Sequence, residues 1–171
     1  KIEVVNTAPQ QKTLDLRNSI EEVLATFAVK ASEGGLDLLY EIDADVPMQV
    51  LGDSKRLQQV LLNLVENVID TATQQEVFIG LHLIKDETTN EPVLGFEIGN
   101  KRIGDAAEMR QQLSAGNELS DYSLEDEQET EALGLAISKK LVEEMGGEIR
   151  TVKEEAVSQH FMLKIPLTEA V

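Results

Sequence analysis

The predicted class is α+β: a two-layer sandwich in which a mixed, mainly antiparallel sheet of about five strands packs against about three helices. Three observations carry it. Two long stretches repeat apolar residues at helical spacing, Leu16 to Ala31 and Leu57 to Ile69. Val77 to Leu83 and Phe161 to Leu167 alternate with period two. A short turn joins the central strands as a hairpin, so the chain mixes antiparallel strands with helices. Alternating strands predict helices on one sheet face and water on the other.

Each element has a local cause. Asp15 is placed to cap a helix whose buried face is Leu16, Ile20, Val23, Leu24, Phe27 and Ala31, and Gly34-Gly35 stops it. Leu36 to Ile42 is a short apolar run fit for a strand, and Asp45-Val46-Pro47 a loop. Asp53 caps a second helix with a wide apolar face of Leu57, Val60, Leu61, Leu64, Val65, Val68 and Ile69. Val77 to Leu83 is a strand, Asp86 to Asn90 a turn, and Val93 to Ile98 the returning strand. Ala106 to Leu113 forms a short helix, Ser114 to Thr130 is the least regular stretch, and Leu133 to Met145 is a helix closed by Gly146-Gly147. Glu148 to Val152 and Phe161 to Leu167 are the last two strands.

Composition excludes several classes of function. A length of 171 residues fits one domain with a stable core. Fifteen basic and 32 acidic residues leave a net charge of −17, which repels nucleic acid and anionic lipid. Without cysteine there are no disulfides and no thiolate metal sites. No apolar run approaches the roughly 18 residues that cross a bilayer. The first residue is Lys rather than Met, which predicts a piece of a longer protein.

Three stretches together resemble one family. Leu14-Asp15-Leu16-Arg17 with Ile20 to Leu24, Gly52-Asp53-Ser54-Lys55-Arg56-Leu57 running on to Asp70, and Gly134-Leu135-Ala136-Ile137 running on to Ile149 look like the ATP-binding domain of bacterial, including hybrid, sensor histidine kinases. The resemblance covers nearly the whole chain in the expected order. It implies a Bergerat-type fold over residues 14–171, with residues 1–13 as the tail of a preceding dimerisation helix and linker. It implies Mg-ATP bound between the helices and a lid, and transfer of the γ-phosphate to a histidine on a separate dimerisation domain. That acceptor lies outside this chain, so no catalytic residue is expected here. His82 and His160 are expected to be ordinary strand or loop histidines. The resemblance further implies a cytoplasmic, bacterial domain of a membrane-anchored sensor, monomeric as a fragment. Its expected partners are its own dimerisation domain, a partner sensor kinase or a receiver domain, with no nucleic acid and no membrane contact.

Residue by residue, the family motifs are only partly present. Asn63 and Asn67, four apart on one helix face, match the family's asparagine box, and their amide oxygens suit Mg²⁺. The next position, a phosphate-binding lysine in the family, is Asp70. For two unit charges about 6 Å apart at an effective dielectric near 20, the exchange gives roughly 2.8 kcal/mol of repulsion in place of attraction. The first glycine box, Asp-x-Gly-x-Gly in the family, is Asn100-Lys101-Arg102-Ile103-Gly104. Asn100 keeps an acceptor for the adenine amino group, though a neutral one is weaker. Arg102 replaces a glycine, while Ile103 and Gly104 complete the match. The second box, Gly-x-Gly-Leu-Gly-Leu in the family, is Thr130-Glu131-Ala132-Leu133-Gly134-Leu135. Leu133 and Gly134 survive, while Glu131 and Ala132 stand where a phosphate cradle needs small, uncharged residues. As helix design, Glu131 suits the positive end of the macrodipole. The lid region, Glu118 to Glu131, carries seven acids and no Lys or Arg.

Three functions fit this pattern: a degenerate pseudokinase domain with weak or no ATP binding, a working divergent domain that holds Mg-ATP, and an interaction domain whose acidic stretch docks on a basic partner. Mg-ATP is the cofactor of the second and is dispensable to the others. Relatives that hydrolyse ATP place a glutamate four residues before the key asparagine; here that residue is Asn63, which points to the kinase branch rather than to hydrolysis.

Overall fold

A carboxylate opens the first helix: Asp15 Oδ1 accepts from the Asn18 amide at 3.0 Å, one of the donors a helix start leaves without a partner. The computed structural model describes residues 12–71, 76–115, 117–118, 129–151 and 160–168. In chain order it contains β1 (Lys12–Asp15), α1 (Leu16–Glu33), β2 (Asp37–Ile42), β3 (Gln49–Gly52), α2 (Ser54–Thr71), β4 (Glu76–Lys85) and β5 (Pro92–Gly99). There follow α3 (Ala106–Ala115), β6 (Asn117–Glu118), α4 (Glu129–Glu144), β7 (Glu148–Thr151) and β8 (Phe161–Pro166). The main sheet runs β2-β4-β5-β8-β7-β6, with β2 and β4 parallel and the other pairs antiparallel. Five strands of four residues or more and the two-residue β6 match the predicted mixed, mainly antiparallel sheet.

The large core lies between this sheet and α1, α2 and α4. Leu16, Ile20 and Val23 of α1, and Leu61, Leu64 and Val68 of α2, meet Ile79, Leu81, Phe96, Ile98 and Leu163 of the sheet, with Leu135 and Val142 from α4. Every apolar position predicted for the faces of α1 and α2 is buried. The helix ends follow their glycines. Gly35 and Gly146 take φ of +70° and +79°, a region costly for residues with a Cβ, and the amides after them return to the last turn: Leu36 to the Ala31 carbonyl at 2.8 Å, Gly147 to that of Val142 at 2.9 Å.

Two expectations need correction. The sheet's second face is not left to water: α3 covers it, and Met109 and Leu113 pack on Ile84, Val93 and Met162. In consequence β4 is buried on both sides from Val77 to His82. Lys12 and Thr13, expected to belong to the linker, form β1 with Leu14 and Asp15, and residues 49–52, for which the sequence predicts no element, form β3, an antiparallel pair outside the main sheet; Asp45-Val46-Pro47 is a loop as expected. Each of the two strands contributes one inward apolar residue, Leu14 and Val50, too few to show a period. The predicted last residue of β7, Val152, and most of the acidic lid lie outside the described residues.

The β4–β5 turn is built on Asp86. Its Oδ2 accepts the amides of Thr88 and Thr89 at 3.0 Å each, and its Oδ1 meets Lys164 Nζ at 2.6 Å. The ammonium first, and then the turn amides, hold the carboxyl down to about 2. A depressed carboxyl pKa adds stability that is present above the unfolded value of 3.8 and is lost as pH falls through the folded one. Asp86→Asn should therefore lower the urea midpoint at neutral pH, and the gap from the parent chain should close as acid brings the pH from about 4 toward 2.

Candidate nucleotide site

The predicted site residues come from α2, the loop after β5 and the start of α4. Asp53 caps α2 through the Arg56 amide, 3.1 Å from its Oδ1. Arg56 then pairs with Asp53 and with Glu144 of α4, which ties the two helices. The core side of α2 is apolar, so its amide side chains lie toward its flanks, Gln58 toward α1 and Asn63 toward α4. Asn63 Nδ2 donates to the Gly134 carbonyl at 3.3 Å, and Asn63 Oδ1 accepts from Gln59 at 2.9 Å. Ser138 Oγ donates to the same carbonyl at 3.0 Å. Asn67, one turn further on, is 5% exposed. Asn63 and Gly134 are thus brought together as the motifs require.

Asp70 does not stand as a bare charge. Its Oδ1 meets Lys30 Nζ of α1 at 2.7 Å. The Asp70 bond is the main reason the Lys30 pKa is raised, with Glu66 adding attraction. The repulsion expected from Asp70 is correspondingly reduced. The pair is exposed at both ends, 50% and 39%, and pairs of this kind contribute about 0–1 kcal/mol.

The loop Asn100–Gly104 is anchored from three sides. Asn100 Nδ2 donates to the Glu76 carbonyl at 3.2 Å. The Ile103 amide donates to Glu97 Oε1 at 2.7 Å. Arg102 pairs with Glu41 of β2 at 2.7 Å, and its Nε donates to the Gly104 carbonyl at 3.5 Å. Glu41 lies opposite Gly80 in the register, so Arg102 leaves toward the face that α3 covers and does not fill the space between sheet and helices. Gly104 has φ +151°, where a side chain is strained; this glycine is required by the backbone whether or not a ligand binds.

The second glycine box is helical. Because α4 begins at Glu129, Thr130, Glu131 and Ala132 form its first turn, ahead of Leu133 and Gly134. The expectation of a helix beginning at Leu133 is corrected. Replacing two glycines by Thr130 and Ala132 removes the two strongest local obstacles to helix, and acids in the first turn favour it.

These residues fit the two ends of Mg-ATP differently. The Glu76 carbonyl can only accept, so it orients the Asn100 amide and leaves Oδ1 as an acceptor with no donor among the described residues. That suits an amino-purine, although Asn100 is only 1% exposed. Asn63 and Asn67 could offer a hard cation neutral amide oxygens, and no group of three or more His, Cys, Asp or Glu side chains among the described residues adds to them. At the phosphate end the start of α4 keeps a helix N-terminus, which can hold an anion through its free amides, while two glycines of the motif are replaced and the sequence adds Glu131. The Asn63 bond is nonetheless structural: Asn63→Ala should cost about 0.5–1.5 kcal/mol in chemical denaturation by loosening α2 from α4.

Sequence reasoning missed Glu97. It is fully buried, at 0% exposure, and its carboxylate holds both Ile103 and His82. The available signal was an acid inside a strand with apolar neighbours. Its parity placed it on the face expected to be wet, where an acid needs no explanation.

Residues 52–169 match the family described as histidine kinase-, DNA gyrase B-, and HSP90-like ATPase. The chain is 34% identical over 134 residues to hybrid signal transduction histidine kinase B of Dictyostelium discoideum, covering 78% of this chain and 7% of that protein. It is 29% identical over 170 residues to the sensor protein GacS of Pseudomonas syringae pv. syringae, covering 99% and 19%. It is 33% identical over 136 residues to the signal transduction histidine-protein kinase BarA of Escherichia coli K12, covering 78% and 14%. The chain therefore spans less than 20% of each of these relatives. Among solved structures, the nucleotide-free catalytic domain of histidine kinase ThkA superposes with TM-score 0.64 at 28% identity, covering 92% of this chain and 95% of that one. Full-length ShkA, solved in complex with AMPPNP, superposes with TM-score 0.71 at 20% identity over 94% of this chain and 32% of that one, which speaks to the fold alone. The layered fold and the matched motif order thus have one common origin: the chain belongs to the histidine kinase-, DNA gyrase B-, and HSP90-like ATPase family, as an ATP-binding domain of the sensor histidine kinase type.

Proposed function

We propose that the chain is a degenerate ATP-binding domain of a two-component sensor, a pseudokinase module with weak or no ATP binding. The observation that carries this reading is the helical first turn of α4 at Glu129–Ala132. A helix start can hold phosphate through its free amides, but here Thr130 and Ala132 replace the glycines that let the chain close around it, and the sequence adds Glu129 and Glu131. The enclosed Asn100 supports the same reading at the adenine end. The module acts in signal transduction through contacts with its own dimerisation domain or with a partner sensor kinase or receiver domain. Its setting is the cytoplasmic side of a membrane-anchored bacterial sensor, and as a separate fragment it is monomeric.

Calorimetric titration with Mg-ATP tests this directly. Dissociation weaker than about 100 μM, roughly −5.5 kcal/mol, is expected, and tighter binding would overturn the proposal. The double substitution Thr130→Gly with Ala132→Gly should unwind the first turn, since each glycine disfavours helix by about 1 kcal/mol. The same titration should then give an affinity gain of about tenfold or more, or about 1.4 kcal/mol.

A second reading has specific support: the Asp70 charge is matched by Lys30, and Asn63, Asn67 and Asn100 keep their amide oxygens. On this reading the domain is divergent but working, and delivers phosphate from Mg-ATP to a histidine on a separate dimerisation domain. Labelled ATP given to the full-length protein separates the two, because only a working domain leaves label on histidine.

A further inference from the structure

Behind the sheet, on the face covered by α3, a histidine is held between two carboxylates. In the β4–β5 register Gly80 lies opposite Glu97 and His82 opposite Gly95, so the imidazole and the carboxylate sit diagonally, each across from a glycine. The space is needed: a Cβ on Gly80 would stand 2.7 Å from Glu97 Cγ. His82 Nε2 is 2.6 Å from Glu97 Oε2, and Nδ1 is 2.7 Å from Asp43 Oδ2, just past the end of β2. The other Glu97 oxygen holds the Ile103 amide at 2.7 Å. His82 is 2% exposed and Glu97 0%, while the Asp43 side chain is 23% exposed.

The geometry fixes a proton count. A ring nitrogen and a carboxylate oxygen at such distances need a proton between them. A neutral imidazole supplies one donor, an imidazolium two. With both contacts made, two protons lie in the cluster, and we assign them to an imidazolium, with Glu97 accepting the Ile103 amide through its other oxygen and Asp43 reaching solvent as carboxylates. Burial opposes that charge, and the bonds to Glu97 and Asp43 outweigh it, so the ring's pKa is raised above 6.5.

We propose that Asp43, His82 and Glu97 form a proton-operated clasp that holds the Asp43 side chain, at the start of the β2–β3 connection, to the back of the sheet only while the imidazole carries both protons; the Asp43 amide stays on the Leu81 carbonyl at 3.0 Å in either state. When one proton leaves, one contact becomes lone pair against lone pair. Glu97 is enclosed and has no water to replace its donor, so the remaining proton stays on Nε2. Asp43 reaches solvent and lets go. The Glu97 anchor on Ile103 persists in both states.

The connection keeps its other holds, the Asp43 amide on the Leu81 carbonyl at 3.0 Å, Val46 in the main core and the Met48 carbonyl on the Leu16 amide at 3.0 Å, before it enters β3. The clasp adds a side-chain hold between the main sheet and the segment that leads to the β1–β3 pair. Other charged or titratable groups on the surrounding elements are Asp37 and Glu41 of β2, Glu41 with its partner Arg102, Asp45 on the connection, Glu76 and Lys85 of β4, Asp105, Glu108 and Arg110 around α3, and His160 and Lys164 around β8, Lys164 being held by Asp86. A raised histidine pKa contributes stability that is fully present below 6.5 and is lost as pH rises through the folded value.

The test is an NMR titration of the isotope-labelled chain from about pH 5 to about 9, a window that brackets histidine. The His82 midpoint should lie above 6.5. The Asp43 and Val46 amides should shift with the same midpoint, and the exchange protection of the Ile103 amide should stay constant across it. Asp43→Asn, at a partly exposed position that keeps the fold, places an amide donor against Nδ1 of the neutral ring. It should lower the His82 midpoint by about one pH unit or more. A parent midpoint at or below 6.5, no matching shift at Asp43 and Val46, an unmoved midpoint in Asp43→Asn, or loss of Ile103 protection at that midpoint would each overturn the clasp. No nucleotide enters these readouts, so they stand or fall apart from the ATP-binding proposal.

Discussion

Everything at the site rests on the way α2 is pressed into the core. Its apolar face is completely buried between α1, α4 and the sheet, so the helix can neither roll nor slide without exposing large side chains. Each fully buried aliphatic side chain contributes about 1.5–3 kcal/mol to that constraint. What remains for chemistry is a narrow polar rim. Asn63 spends its amide hydrogens on α4, and Asp70 turns to α1. The rim is thus both the candidate ligand surface and part of the joint between helices, and a change made for one purpose is felt in the other.

The two halves of the candidate site have diverged unequally. Around Asn100 and Gly104 the loop is anchored on Glu76, Glu97 and Glu41, one of them from behind the sheet. Around Thr130 to Ala132 two glycines of the motif are gone and the backbone is helical. Side-chain substitutions in a loop leave the chain free to take the required shape, whereas removing glycines from a helix start adds propensity, macrodipole complementarity and regular hydrogen bonding at once. The phosphate end is accordingly the more thoroughly altered.

Most of the fold was legible in the sequence because α1, α2, β4, β5 and β8 bury faces long enough to show a period. β1 and β3 were not, since a four-residue strand with one inward apolar residue shows no periodicity. α3 was seen, but its cover over the second sheet face was not. Met109 and Leu113 make a stripe of only two residues, and nothing local says which surface they seek. Asn63, Asn67, Asn100 and Gly104 could be located by motif. The partners of Asn63, Asp70, Asn100, Ile103 and Arg102, namely Gly134, Lys30, Glu76, Glu97 and Glu41, could not all be inferred, because those pairings depend on how distant elements cross. The buried histidine was hidden for a related reason: strand parity assigned His82 and Glu97 to a face expected to meet water.

Among the described residues the main sheet has two border strands, and they are defended differently. β6, at one border, spans only two residues and offers too short a ladder to template another chain. β2, at the other, is six residues long and parallel to its neighbour, a more inviting platform. Its outward positions are Asp37, Leu39 and Glu41, all exposed. A strand from a second molecule laid along it would have to run past Asp37 and the Glu41–Arg102 ion pair, brought by a chain that already carries a charge of −17. Resistance to strand-to-strand aggregation is in this way written into the border itself, at the cost of a single exposed leucine.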